Sequence, residues 1–177
     1  AIDSDYNSIW LGDGGRMFRR TLPPGQAPVP IIYETVAKWA AVSGQDLHSY
    51  DGDPLLANPD LRNVRLMSQA GRWVPELGIW TNDAVSSPLI DAGDPLSGAW
   101  TNEPWANGGR INIGTFGGSK TASKSPTNAA LYLLCLSRGG VASGQVALNW
   151  RAAGRATGHT VRVSMSTNNA ASWTAIA

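Results

Sequence analysis

Ser87-Pro88-Leu89-Ile90-Asp91-Ala92-Gly93-Asp94-Pro95, followed after a loop by Asn107-Gly108-Gly109-Arg110-Ile111-Asn112-Ile113-Gly114-Thr115-Phe116-Gly117-Gly118, decides how the rest of the chain is read. Each stretch sets a pair of apolar residues among turn formers. Asp91 and Asp94 flank a tight turn in which a carboxylate accepts backbone N–H groups, and Gly93 supplies a backbone shape that larger residues avoid. Ile111 and Ile113 point to one side of an extended segment and Asn112 to the other, so one face enters a core. Apolar pieces this short do not make a flat open sheet with one buried face. They suit a solenoid, in which each coil stacks on its neighbour and only a few residues per turn point inward.

Working upstream, Val64-Arg65-Leu66-Met67 and Pro54-Leu55-Leu56 are further β-type pieces punctuated by proline and glycine. A helix is expected from Thr35 to Val42, with Thr35 as N-cap, Val36, Trp39 and Ala40 at helical spacing, and Ser43-Gly44 as its stop. Leu22 to Pro30 holds four prolines and reads as an irregular loop, while Arg16 to Thr21 is a segment able to pair. The polar head Asp3 to Ser8 is a turn feeding Ile9-Trp10-Leu11. A solenoid end needs a lid over its last coil, and Trp73, Trp80, Trp100 and Trp105 are the candidates.

Downstream the pattern changes. Lys120 to Asn128 reads as a linker, and beyond it come longer strands: Ala130 to Leu136, Gln145 to Trp150 and Thr160 to Ser166, the last two with apolar residues at alternate positions. Alternation of this kind describes a half-buried antiparallel sheet. Three strands and a hairpin do not close a sandwich, which takes about seven.

The two halves also differ in charge. All thirteen acidic residues lie between Asp3 and Glu103 with seven Lys or Arg, a net of −6, whereas Pro104 to Ala177 carries seven basic and no acidic side chains, a net of +7. This supports two modules and allows the second half a weak attraction for polyanions. The basic residues are spread rather than striped and lack an aromatic platform, so no nucleic-acid partner is expected. No apolar run approaches twenty residues, so no membrane span is expected. Cys135 is the one cysteine, read as a buried strand residue, and cannot form a disulfide within the chain.

The quoted elements resemble the terminal coil of bacterial secreted right-handed parallel β-helix proteins, which closes with a SPxIDAGDP element, a loop and an NGGRINxGxxGG strand. Ala57-Asn58-Pro59-Asp60 with Val64-Arg65-Leu66 is similar to the preceding coil, and Trp39 to Asp46 to a short helical excursion before it. The segments Gln145 to Trp150, Val161 to Ser166 and Ser172 to Ala177 resemble an immunoglobulin-like module with a SxDGGxxW hairpin, although Asn168 stands at the aspartate position and Ala170 at a glycine position. The resemblance implies an all-β chain in three parts: terminal coils and cap over residues 1–120, a linker over 121–128, and an incomplete immunoglobulin-like module over 129–177.

Candidate chemistry is sparse. Asp3, Asp5 and Asn7 alternate as at the opening of a calcium loop, but Ser8 replaces the required glycine and no distal glutamate follows, which leaves only an irregular Ca2+ site to consider. Asp83, Asp91, Asp94 and Glu103 are numerous enough for the carboxylate pair of a glycoside hydrolase, yet turn and cap duties are the preferred reading. His48 and His159 fall in different modules beside no nucleophile pattern, and they give no zinc spacing. The expected function is therefore a non-catalytic structural or adhesive segment of a secreted or cell-surface protein, able to assemble with other chains through open β edges. Two alternatives stand beside it. One is the end of a polysaccharide lyase or glycoside hydrolase with catalytic coils upstream. The other is a carbohydrate-binding module using Trp73, Trp80, Trp100 and Trp105.

Overall fold

A computed structural model describes residues 3–11, 18–20, 31–128, 130–133, 148, 150–153, 160–168 and 170–176. The chain is β-rich, with small antiparallel strand pairs and one α-helix among these residues. Cys135, His159 and most of the expected strand Gln145 to Trp150 lie outside them.

The first pair, β1 (Phe18–Arg20) and β2 (Ile31–Tyr33), brings Phe18 opposite Tyr33. It leads into α1 (Val36–Ser43), which forms where its capping chemistry places it. Thr35 Oγ1 accepts the Lys38 N–H at 3.2 Å, and Gly44, in the left-handed region at φ 69°, donates to the Ala40 carbonyl. A helix of two turns needs tertiary support. It receives it from Phe18 stacked on Trp39, from Tyr33 packed edge-on to the same indole, and from Asp51, whose carboxylate accepts the Val36 N–H.

Next, β3 (Leu56–Asn58) and β4 (Asn63–Leu66) are joined through a 3-10 turn at Pro59–Leu61. Asn58 Oδ1 accepts the Leu61 N–H, and Arg62 adopts φ 60°, so the connection reverses the chain and sets Leu56 against Leu66 in antiparallel register. The parallel register expected of these segments is thereby corrected, because parallel neighbours need a crossover far longer than this loop. A second hairpin, β5 (Arg72–Val74) with β6 (Ile79–Thr81), turns at Pro75–Gly78 and faces Trp73 with Trp80. Parallel pairing occurs at one isolated bridge among the described residues, Ser8 with Tyr50.

Leu89-Ile90 and Ile111-Ile113 are buried or half-buried as expected but are not strands. Pro88 has no N–H to give, Asp91 adopts φ 55°, and the Asp91 N–H is taken by the Asn112 side chain rather than by a neighbouring backbone. Two backbone bonds, Ile113 to Leu89 and Gly93 to Ile111, still tie these segments together. With Leu66, Ala92 and the half-buried Tyr6, Tyr50 and Leu56 they make the core.

In the C-terminal part, β7 (Ala130–Leu133) pairs with β8 (Trp150–Ala153), and β9 (Ser164–Met165) with β10 (Thr174–Ala175). The turn between the last two is built by Asn168 Oδ1, which accepts both the Ser172 N–H and the Ser166 hydroxyl. Each sheet among the described residues is two-stranded and antiparallel.

Candidate functional site

Three segments distant in sequence converge on an open cavity of about 520 Å³, lined by Tyr6, Ser8, Asp94, Ser97, Ile111 and Ile113, with the buried Asn112 behind them. This size falls in the range of about 300–1,000 Å³ usual for small-molecule sites. Asp94 belongs to the turn read from the sequence, and its Oδ1 accepts the Leu96 N–H at 2.8 Å.

Tyr6 is held by two side chains. One face stacks on the His48 imidazole, with ring centroids 4.9 Å apart, and the Arg110 guanidinium lies over the ring at 5.6 Å. Each of these neighbours is itself fixed. Asp5 accepts the His48 backbone N–H and meets His48 Nδ1 at 2.7 Å, while Arg110 donates to the carbonyls of Gly93 and Ala92. Tyr6 also adopts φ 53°, a left-handed conformation that costs a non-glycine residue about 1–2 kcal/mol. Burial pushes its hydroxyl pKa up, with Asp5 and Asp94 adding to the rise against the opposing charge of Arg110, so the phenol stays neutral.

Beneath the cavity lies a buried polar layer. Asn112 donates its N–H to Glu103 Oε1 and its side-chain amide to the Ser123 carbonyl, and its side-chain oxygen accepts the Asp91 N–H. Glu103 Oε1 also accepts the Gly118 N–H, whereas its Oε2 is buried and meets no hydrogen-bond partner among the described residues. Burial raises the Glu103 pKa, the two backbone N–H bonds oppose this, and the nearby Asp91 charge adds to the rise. Asp91 accepts the Ser125 hydroxyl at 2.6 Å and packs against Gly108, where a Cβ would overlap its carboxylate.

The residues singled out in the sequence are scattered. Trp73 and Trp80 pack edge to face and half-buried, Trp80 lying under Lys124 Nζ at 4.5 Å, and Trp100 is half-buried in the 3-10 turn Gly98–Asn102. Trp105 is 82% exposed, which corrects the reading of it as part of a buried lid. Among Asp3, Asp5 and Asn7, the Asp5 oxygens are taken up by Tyr6 and His48, and the Asn7 amide donates to Ser4 and Asp46. Burial acts to raise the Asp5 carboxyl, but the bonds from His48 and Tyr6 outweigh it and hold the group below the ordinary carboxylate range. No cluster of three His, Cys, Asp or Glu side chains suited to a metal ion occurs among the described residues. No helix among them is long and apolar enough to cross a membrane.

The cavity was not foreseen. Tyr6 carries no pattern that marks it, and its partners His48 and Arg110 are brought to it only by folding. No known protein family, curated protein or solved structure matches this chain.

Proposed function

We propose that this chain is a non-catalytic structural or adhesive segment of a secreted or cell-surface protein. In this reading residues 1–120 are the last coils of a right-handed parallel β-helix serving as a stiff rod, and residues 129–177 begin an immunoglobulin-like spacer. The parallel bridge between Ser8 and Tyr50 supports stacked coils, from which the antiparallel hairpins project as excursions.

One observation carries the non-catalytic part: six carboxylates are engaged in holding backbone. Asp5, Asp51, Asp53, Asp83, Asp94 and Glu103 each accept a main-chain N–H. Asp83 in addition holds Arg72 through three side-chain contacts of 2.9–3.2 Å. A glycoside hydrolase needs two carboxyl groups facing each other across a groove, and a lyase needs a base beside a cation that neutralises the substrate. The open cavity has one carboxylate in its wall, and Arg110 is bound to carbonyl oxygens.

The test is incubation of the chain with polygalacturonate, xylan and a β-glucan, following reducing ends and ultraviolet-absorbing unsaturated ends. The expected outcome is no release above a buffer control. Release that is abolished by Asp94→Asn would overturn the reading in favour of an enzyme.

A further inference from the structure

We propose that the cavity between segments 6–8, 93–97 and 111–114 binds a terminal unit of a neutral saccharide, with the Asp94 carboxylate and the Tyr6 hydroxyl as its principal polar contacts. The site is separate from the four tryptophans and adds a ligand to the structural reading above.

The lining selects the class of ligand. Apolar Ile111 and Ile113 and the polar residues Tyr6, Ser8, Asp94 and Ser97 share the lining. A sugar ring presents the same mixture, with C–H faces between equatorial hydroxyls. A carboxylate accepts two hydroxyl protons at once, and the neutral phenol both donates and accepts. The cavity opens widely to solvent, so a bound ring keeps part of its hydration and its chain continues outward, which suits the end of an oligosaccharide better than an apolar molecule.

Charge excludes the acidic sugars. Asp94 stands in the wall and Asp5 lies behind Tyr6, while the cation beside Tyr6, Arg110, has its Nε and Nη2 on the Gly93 and Ala92 carbonyls and its guanidinium over the ring. A uronate would set its carboxylate against Asp94 with no cation among the described lining residues to compensate.

Tyr6 is also built as a binding group. Its ring is contacted by two side chains that lie outside the lining, each anchored by its own hydrogen bonds, so the ring is held in place before a ligand arrives. Its backbone is strained as well, and strain of this kind gathers at ligand-binding positions because surrounding structure must maintain it.

Nuclear magnetic resonance titration of the full chain with cellotetraose, xylotetraose, mannotetraose and tri-galacturonate tests the site. At least one neutral oligosaccharide is expected to shift the amide resonances of Ser8, Ser97 and Gly114, and tri-galacturonate is expected to leave them in place. Asp94→Asn and Tyr6→Phe should each weaken binding about tenfold, the scale of one lost hydrogen bond. Trp105→Ala should change binding by less than about twofold, as a substitution outside the site. No shift with any neutral oligosaccharide overturns the proposal. So does equal binding of the uronate, or a loss confined to the Trp105 variant. Shift mapping on the unaltered chain locates the ligand even where a variant fails to fold.

Discussion

The described residues from 44 to 128 and those from 130 to 176 contain similar short β pieces and solve the problem of burial in opposite ways. In the first region a handful of apolar side chains, Leu66, Leu89, Ile90, Ala92 and Ile113, are covered, and buried serines carry much of the remaining contact. Ser68 donates to the Lys124 carbonyl, Ser87 to that of Pro54, and Ser123 to that of Leu66, each hydroxyl joining segments more than thirty residues apart. In the second region Leu131, Leu133, Trp150, Met165, Trp173 and Ile176 all remain exposed on two-stranded ribbons. Alternating apolar residues define a face, but only a second layer buries it, and a two-stranded ribbon supplies none. Short segments can instead be buried when side chains satisfy the backbone groups that a regular ladder would have paired.

The comparison is broken most directly at Ile90, which is 1% exposed at the centre of the core. Ile90→Ala removes buried methyl groups and leaves a void, with an expected loss of about 3–4 kcal/mol. Urea unfolding followed by far-ultraviolet circular dichroism should show the midpoint fall sharply. Leu131→Ala in the exposed ribbon serves as the internal control and should move it little. Equal losses at the two positions would mean that both regions bury their apolar faces alike.

How much of this was legible follows from where the determining contacts lie. Helix α1 could be read almost to its ends because Thr35 and Gly44 act on residues within one turn of themselves. The direction of pairing at Leu66 could not, since an apolar segment carries no sign of which way its neighbour runs. The missed signal was the turn chemistry of Asn58-Pro59-Asp60-Leu61-Arg62, in which an asparagine side chain caps a single 3-10 turn. Ile111 to Ile113 read as a strand because the pattern does not reveal that Asn112 substitutes side-chain bonds for a ladder. Asp5 suggested a metal ligand for a related reason: its imidazole partner lies 43 residues away. The acidic turn at Asp91 and Asp94 was legible as a turn, and its contribution to a cavity emerged only once Tyr6 was placed across from it.

The buried polar layer is sharpened by a smaller change, Glu103→Gln. The glutamine oxygen can keep both backbone N–H bonds, and its amide nitrogen replaces an oxygen that meets no partner among the described residues. Burial raises the Glu103 pKa in the fold, so wild-type stability from this group is complete below the unfolded-state pKa and declines as pH rises through the folded one. Glutamine has no charge to bury. The variant should therefore gain on the wild type as pH rises through that window, by the cost of holding a buried carboxylate ionised. Thermal unfolding at a series of pH values from 4 to 8 measures the gap, and a gap that does not widen with pH would show that Glu103 is solvated in the fold.

The smallest effect is expected at Trp173, which is 61% exposed beside β10 despite being the largest apolar side chain of its hairpin. Its exposure means that Trp173→Ala takes little from the isolated chain, within about 0.5 kcal/mol of the wild-type stability at low protein concentration. The same position discriminates between a naked ribbon and one that acquires a second layer by association through its open edges. In the second case the cost of the substitution grows with protein concentration, because anything that binds only the folded form stabilises it by mass action. Sedimentation across a concentration series would then show wild-type oligomers that the alanine variant fails to form. A loss of more than about 2 kcal/mol at low concentration would require Trp173 to be covered within one chain and would erase the contrast between the two regions.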